Sequence, residues 1–272
     1  MYPPKHMMTI LGVLMFLLSR TLYADVFSVG VMPEYDTQST FSIWQPILTR
    51  LEKSTGHTFE LISTDSYESF DNKLLNGEFD FVYVDALTWY VVNQKMAYRP
   101  LIMGSRPSQG IVVVPRSSGI DAVTQLHGKN MAFSDSNGLV SRLFSQYLLA
   151  KEIGAVVIPN YLPNDHAVFT SVSLGVMPAG LGSLQQFEKQ SLDMRSHLRV
   201  IYRTTELPSN LIAVSERVAK KVSAKVSKTI LALENSKQGK LFLSRIPMSV
   251  PIKADERDYV VLESPIFQAV LN

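Results

Sequence analysis

Short apolar runs alternate with segments of helical periodicity along most of the chain. Short runs between turn residues are typical of buried strands, and strands that alternate with helices are typical of α/β units with a largely parallel sheet. We therefore expect an α/β protein. The predicted strands are Val26–Met32, Thr58–Ser63, Phe79–Val84, Arg99–Met103, Gly110–Pro115, Asn130–Phe133, Ala155–Pro159, Arg199–Arg203 and Leu211–Val214.

Two helices are predicted between the first strands. Ser42 is a plausible N-cap of the first helix, Pro46 lies near its first turn, and Gly56 ends it. The second helix is expected to start at Asp65, with Glu68 completing a capping box. This start places Tyr67 in the first helical turn.

Two turn-rich segments divide the chain into lobes. Leu101–Gly110 and Arg203–Asn210 are polar connections between strands, and they predict two crossings between an outer and an inserted domain. The expected lobes are residues 25–105 with 207–272, and residues 106–206. The carboxyl end from Val218 onward is expected to form helices that pack on the first lobe.

The amino-terminal residues have the pattern of a secretory signal peptide. Lys5 and His6 precede an uncharged apolar run from Met8 to Leu18, and small residues lead to Ala24. The run is shorter than the roughly 20 residues that cross a bilayer. We expect export to the periplasm and cleavage near Ala24, so that residues 1–24 are removed.

Composition excludes several kinds of partner and chemistry. Removal of Lys5 and Arg20 reduces the 26 basic residues to 24, which equals the 24 acidic residues. A neutral mature chain gives no electrostatic case for nucleic acid or an anionic membrane. With no cysteine, the chain has no disulfide, thiolate metal site or lipid-anchoring cysteine.

No catalytic constellation is present in the sequence. It contains no phosphate-binding loop with Lys-Ser/Thr, no nucleophile elbow and no His-Glu-x-x-His motif, and its five histidines are scattered. We therefore expect a protein that is not an enzyme, with no metal and no cofactor.

Short polar residues follow several predicted strands. Three such junctions are Met32–Thr40 with Tyr35, Thr64–Tyr67, and Ser134–Ser141. Ligands of open α/β sheets bind outside the carboxyl ends of strands, where helix N-termini offer free N–H donors. Ordinary capping and turn chemistry is the alternative explanation at each junction.

The order of several segments resembles the phosphonate- and phosphite-type periplasmic binding proteins of ABC importers. These segments are Trp44–Gly56, Asp65–Tyr67, Leu75–Asp80, Gly128–Asn137, Leu198–Tyr202, Leu207–Asn210 and Ile212–Val214. The resemblance implies a two-lobed type 2 periplasmic binding fold, each lobe a mostly parallel sheet flanked by helices, joined by two crossing segments. It also implies capture of a small, phosphonate- or phosphate-like anion, delivered by a monomer to an ABC permease. The alternative is a ligand sensor that works in trans with a membrane sensor kinase or cyclase.

The resemblance also implies a set of ligand-binding residues. Tyr67 matches a pocket tyrosine, Tyr83 or Val84 lies at the edge of the pocket wall, and residues 136–141 match the phosphonate cradle. The full expected set is Tyr35, Tyr67, Tyr83, Asp85, Ser134, Ser136, Asn137, Gly138, Ser141, Asp165 and His166.

Three departures from the family pattern affect the ligand. Gly138-Leu139-Val140 stands where the family typically has Ser-Thr-Ser, and Asp165 stands at the position of the family's pocket histidine. Pro178 replaces the acidic residue that receives a ligand amino group in many members. Unmodified 2-aminoethylphosphonate is therefore not expected as the ligand, and the choice between an anion held by backbone N–H groups and a less charged or cationic solute stays open.

Overall fold

Two β-sheets, each flanked by helices, organise the chain in a computed structural model that describes residues 24–134, 154, 156–246, 248 and 250–265. Residues 1–23 and the predicted cradle at 136–141 therefore lie outside the described part. Within the described residues, no helix combines the length and apolar character needed to cross a membrane.

The described strands account for both sheets. In chain order they are β1 Val26–Val31, β2 Thr58–Ile62, β3 Phe81–Val84, β4 Tyr98–Gly104, β5 Gly110–Pro115, β6 Asn130–Ser134, β7 Ile158–Leu162, β8 Gly180–Ser183, β9 Leu198–Arg203, β10 Leu211–Ser215 and β11 Pro251–Lys253.

The described helices lie between these strands and after them. They are α1 Thr37–Thr55, α2 Tyr67–Leu75, α3 Ala86–Asn93, α4 Asp165–Ser173, α5 Leu184–Glu188, α6 Leu192–His197, α7 Lys220–Ala232 and α8 Lys237–Leu243, with 3₁₀ turns at Val123–Leu126, Leu233–Asn235 and Glu256–Glu263.

The first sheet has the strand order β11-β4-β10-β3-β1-β2, and the second has the order β7-β6-β8-β5-β9. β1 is parallel to β2 and β3, whereas β10 is antiparallel to β3 and β4. In the second sheet β6 is parallel to β7 and β8, while β5 is antiparallel to β8 and β9. Among the described strands, β1–β4 of the first sheet and β6–β9 of the second therefore run in one direction, and only β10, β11 and β5 run against them. The predicted fold of two mostly parallel sheets flanked by helices is confirmed.

Strand β5 shows why continuous apolar runs fold as central strands here. Ile111 and Val113 face one hydrophobic cluster, which includes residues of α4, and Val112 and Val114 face another. All four side chains are fully buried. A strand covered on both faces needs apolar residues at every position rather than at alternate ones.

Two strands were missed and one was displaced in the sequence prediction. β8 was missed because Gly180 and Gly182 give its sequence low strand propensity. β11 was missed because the carboxyl end was expected to be helical, yet this segment pairs with β4 at the sheet edge. The prediction at Ala155–Pro159 was wrong by about three residues, since β7 takes its register from β6, with Ile158 opposite Asn130.

Both predicted helix starts also need correction. α1 begins at Thr37 rather than after Ser42, because the Asp36 carboxylate accepts hydrogen bonds from the Ser39 backbone N–H at 2.9 Å and the Ser39 hydroxyl at 2.6 Å. Pro46 consequently lies inside the helix. α2 begins at Tyr67 with Ser66 as its N-cap, one residue after the predicted cap. The placement of Tyr67 in the first turn is confirmed.

The two connections between the sheets run side by side. Residues 105–109 lead from β4 to β5, and residues 204–210 lead from β9 back to β10. Ser108 and Leu207 join them through two backbone hydrogen bonds of 2.8 Å. The pair forms a short two-stranded hinge between the sheets.

Candidate ligand-binding cleft

A cavity of about 400 Å³ lies between the two sheets, at the hinge. Its walls come from three parts of the chain. The first sheet contributes residues after β1 and β3, and the second contributes the start of β5, the start of α4 and the β8–α5 junction. The connections contribute Ser108, Gln109, Thr204, Leu207, Pro208 and Asn210. Carboxyl ends of strands and starts of helices therefore converge on one space, as ligand sites in α/β sheets do.

The wall of the first sheet carries two carboxylates. Asp85 caps α3, and its oxygens accept hydrogen bonds from the Thr88 backbone N–H at 2.9 Å and the Thr88 hydroxyl at 2.7 Å. Burial raises the pKa of Asp85, and the bonds from Thr88 oppose that shift. Asp85 is therefore a structural cap of α3 that also lines the cavity.

Glu34 is the second carboxylate of this wall. It lies in the loop after β1, is partly buried, and accepts a hydrogen bond from the Asn210 amide at 3.3 Å. Burial and then the charge of Asp85 raise its pKa to about 8, although the bond from Asn210 acts in the opposite direction. Glu34 therefore holds a proton at neutral pH in the free protein.

Three predicted tyrosines surround these acids. Tyr35 lines the cavity and is 39% exposed. Tyr83 is buried with its ring against Trp44, and its hydroxyl accepts a hydrogen bond from Asn210 at 3.0 Å. It supports the wall through Asn210, which itself lines the cavity.

Tyr67 lies behind the wall, on α2. Its hydroxyl is buried and has no hydrogen-bond partner among the described residues, and the same holds for Asp71 Oδ1. Burial and then the charge of Glu34 raise the pKa of Tyr67, and burial with the charge of Asp85 raises that of Asp71 to about 6. Helix α2 therefore carries two buried polar atoms that have no hydrogen-bond partner in the described structure, and the cleft carboxylates act on the pKa of both side chains.

The second sheet contributes Asp165 and His166 at the start of α4. Asp165 is 8% exposed, and its Oδ2 accepts a hydrogen bond from the Ser183 backbone N–H at 2.9 Å. Burial raises its pKa, against the effect of the Ser183 N–H and the Ser134 hydroxyl. His166 is exposed at the same cavity, with its Nδ1 2.8 Å from Gln190 Oε1.

The structure brings together much of the predicted site. Tyr35, Asp85, Asp165 and His166 line the cavity, and Tyr67, Tyr83 and Ser134 lie behind its walls. Ser136, Asn137, Gly138 and Ser141 lie outside the described residues, so their role stays a prediction.

Sequence reasoning missed several lining residues. Glu34 belongs to no recognisable motif, although its position shortly after the first strand could have indicated a residue at the ligand-binding edge of the sheet. Gln185 and Gln186 were missed together with β8, the strand that places them at the cavity. Among the described residues, no group of three His, Cys, Asp or Glu side chains could hold a metal ion.

Comparisons with known proteins agree on the fold. Residues 29–259 match the family described as ABC transporter, phosphonate, periplasmic substrate-binding protein. PhnD1 from Prochlorococcus marinus, solved in complex with methylphosphonate, is similar with a TM-score of 0.76 at 17% identity, over 90% of this chain and 98% of that one. A binding protein component of a phosphonate ABC transporter from Pseudomonas aeruginosa has a TM-score of 0.69 at 12% identity, over 89% of this chain and 85% of that one.

A third solved structure, a Xanthomonas citri protein bound to chloride ion, has a TM-score of 0.71 at 18% identity, over 90% of this chain and 98% of that one. At these sequence identities, the solved structures establish only that the fold is shared. Membership of the family is established by the match over residues 29–259.

Proposed function

The chain belongs to the periplasmic substrate-binding proteins of phosphonate ABC transporters, and we propose that it captures a small phosphonate in the cleft between its two sheets and presents it to an ABC permease. Members of this family bind and deliver solutes and are not enzymes. The observation that carries the proposal is the cavity itself, which both sheets and both connections line. A ligand in that position holds the sheets together, because it contacts both walls at once.

We further propose the lobe boundaries given above, residues 25–105 with 207–272 and residues 106–206. Strands β1–β4, β10 and β11 fall in the first lobe, and β5–β9 fall in the second. Both walls of the cleft come from one chain, which supports a protein that works as a monomer.

Calorimetry of the purified mature protein tests the ligand class. Methylphosphonate, ethylphosphonate, phosphate and methanesulfonate are titrated separately, and a phosphonate is expected to bind most tightly. Thermal unfolding gives a second reading, since a ligand at a hundred times its Kd adds about 2.7 kcal/mol of stability. Binding of methanesulfonate or phosphate with no binding of any phosphonate would contradict the proposal.

Cleavage after Ala24 is the proposed maturation step. It removes the segment before β1 and leaves every described strand intact, since β1 starts at Val26. The intact mass of protein released by osmotic shock is expected to correspond to a chain that begins within a few residues of Asp25. Recovery of a chain that still starts at Met1 in the membrane fraction would contradict this step.

A further inference from the structure

We propose that the exposed basic side chains of residues 220–245, on and around helices α7 and α8, form a docking surface for an anionic lipid bilayer. The inference goes beyond the proposed function and does not depend on which ligand the cleft takes. It assigns the face by which the mature protein associates with a membrane surface.

The positive charge of the chain is concentrated in this segment. Residues 220–245 carry seven basic side chains against one acid, Glu234. Because the mature chain expected after cleavage is neutral, its other residues carry the opposite excess, and net charge alone gave no sign of an anionic partner. The seven basic residues are Lys220, Lys221, Lys225, Lys228, Lys237, Lys240 and Arg245.

All seven of these side chains are exposed to solvent. Within the part of the chain that the structure describes, none of them forms a salt bridge with an acidic side chain. The four lysines of α7 fall within an arc of about 140°, since successive helical residues are about 100° apart. The opposite side of α7 is buried through Val222, Val226 and Ile230. The cationic groups therefore point away from the core and stay available to a partner.

Contacts with α1 join α7 and α8 into one surface. Thr229 Oγ1 of α7 donates a hydrogen bond to Ser54 Oγ at 2.7 Å, and Arg50 Nη2 donates one to Gln238 Oε1 of α8 at 2.7 Å. The Arg50 guanidinium also lies over the ring of Phe242, 6.0 Å from its centroid. Both helices therefore pack against the carboxyl-terminal turns of α1 on the same side of the first lobe.

This surface lies apart from the ligand cleft. Helix α1 starts shortly after Glu34 and Tyr35, which line the cavity, and extends for about 28 Å to the turns that contact α7 and α8. None of residues 220–245 is among the described residues that line the cavity. Docking through this surface therefore leaves the cleft open to its ligand.

The composition of the surface favours lipid headgroups over a protein partner. Six of the seven basic residues are lysines, whose compact charge on a flexible stem suits a diffuse layer of phosphates, whereas recognition of a single carboxylate favours the arginine fork. Leu241 lies next to Lys240 and is 58% exposed. An apolar side chain among cations can enter the boundary between headgroups and acyl chains. A bilayer that contains phosphatidylglycerol supplies the matching chemistry.

Flotation of the purified mature protein with lipid vesicles tests the surface. The probes are vesicles of phosphatidylcholine alone and vesicles in which about one third of the lipid is phosphatidylglycerol. We expect the wild-type protein to bind only the anionic vesicles at low salt, and to be released at about 0.5 M NaCl because the charges are then screened.

A matched pair of double variants places the binding on α7 and α8. Lys228→Gln combined with Lys240→Gln should weaken partition onto the anionic vesicles by about tenfold. Lys95→Gln combined with Lys129→Gln removes the same charge from exposed positions outside the surface and should keep wild-type partition.

The outcomes are separate from those that test phosphonate capture. Failure of the wild-type protein to bind anionic vesicles, equal binding to both kinds of vesicle, or equal losses in the two double variants overturns the docking surface. Binding of double-stranded DNA as tight as vesicle binding at the same salt also overturns it, because the surface would then accept any polyanion. Circular dichroism confirms the fold of both variants, and unchanged phosphonate binding by them leaves the proposed function standing in each case.

Discussion

At the scale of single residues, the cleft is defined by acids and hydroxyl groups whose importance comes from tertiary position. Glu34 is an isolated acid in a loop, and only the fold brings it near Asp85 and Asp165. Asp85 and Asp165 were predicted within the set of residues that the family resemblance implies, with Asp165 at the position of the family's pocket histidine. The sequence could not predict the raised pKa of Glu34, which depends on burial by residues distant in the chain.

The protonation of Glu34 gives a signed prediction. Its pKa of about 8 means that it holds a proton at pH 7 in the free protein. The negative charge of a bound phosphonate disfavours the ionised form and raises that pKa further, so binding near pH 8 should take up a proton, and affinity should fall as the pH rises through about 8. The groups that face Glu34 are Asp85, Asp165, Tyr35, Tyr67, Tyr83 and the more distant Lys189.

Calorimetry of the best-binding phosphonate at pH 8, in buffers of different ionisation enthalpy, measures this proton. We expect proton uptake by the wild-type protein and clearly less uptake by Glu34→Gln, so the difference isolates Glu34 from the titration of the ligand. Identical proton exchange in the two proteins would show that Glu34 does not face the bound phosphonate.

Loss of the Tyr67 hydroxyl is expected to weaken binding without destabilising the protein. Its buried hydroxyl is unpaired in the described structure, so Tyr67→Phe should leave the free energy of unfolding unchanged or raise it by up to about 1 kcal/mol, while phosphonate binding weakens by about 1 kcal/mol. Tyr98→Phe is the matched control, because the Tyr98 hydroxyl donates to the Phe79 carbonyl at 2.8 Å. This control should lose about 1 kcal/mol of stability and keep its affinity. Unchanged affinity in Tyr67→Phe would remove Tyr67 from the site.

At the scale of elements, the apolar runs predicted the central strands because burial on both faces leaves a clear pattern. Strand β8 was not predicted, because its two glycines have low strand propensity. They are needed there for close packing against α4. A Cβ atom at Gly182 would lie 2.7 Å from Phe169 Cζ, and one at Gly180 would lie 2.5 Å from Val168 Cγ1. The glycines allow α4 to lie directly on β8, which brings Asp165 to the cleft.

Replacement of Gly182 tests this contact. Gly182→Ala should cost about 1–3 kcal/mol, because the neighbouring ring of Phe169 must move. Gly119→Ala is the control, since a Cβ there meets nothing within 4 Å and the backbone φ is not positive. Urea unfolding measures both variants. Equal stability of the two would show that α4 does not pack closely on β8.

The start of α2 provides a second test at this scale. Ser66 accepts a hydrogen bond from the Ser69 N–H at 3.1 Å, so Ser66→Ala should destabilise the protein by about 1 kcal/mol. Asp65→Ala, at the cap predicted from the sequence, should change stability little, because Asp65 is exposed and its one described contact is a 3.5 Å bond from Thr37. A larger loss of stability in Asp65→Ala than in Ser66→Ala would instead support a helix that starts at Asp65, as the sequence predicted.

At the scale of the whole molecule, the paired connections near Ser108 and Leu207 make the hinge. The chain leaves the first sheet after β4 and returns to it at β10, and two turn-rich segments of the sequence predicted this order. The geometry of the cavity was not, because it depends on how two separately folded sheets face each other. Closure around a ligand is the motion that such a hinge permits.

Closure predicts a change in size. Small-angle scattering should give a smaller radius of gyration with a saturating phosphonate than without ligand. Gln186→Trp, which places a large side chain in the cavity wall, should show no such decrease. An unchanged radius in the wild-type protein at confirmed saturation would contradict closure.

The most direct test of the central claim, that the cavity between the sheets is the binding site, is the affinity of two tryptophan variants for the phosphonate that binds best. Gln186→Trp fills the cavity from α5, whereas Gln94→Trp adds the same side chain at an exposed position after α3, outside the cavity. Calorimetry should show at least a tenfold loss of affinity in Gln186→Trp and wild-type affinity in Gln94→Trp, with both proteins folded. Wild-type affinity in Gln186→Trp would place the ligand elsewhere and contradict the claim.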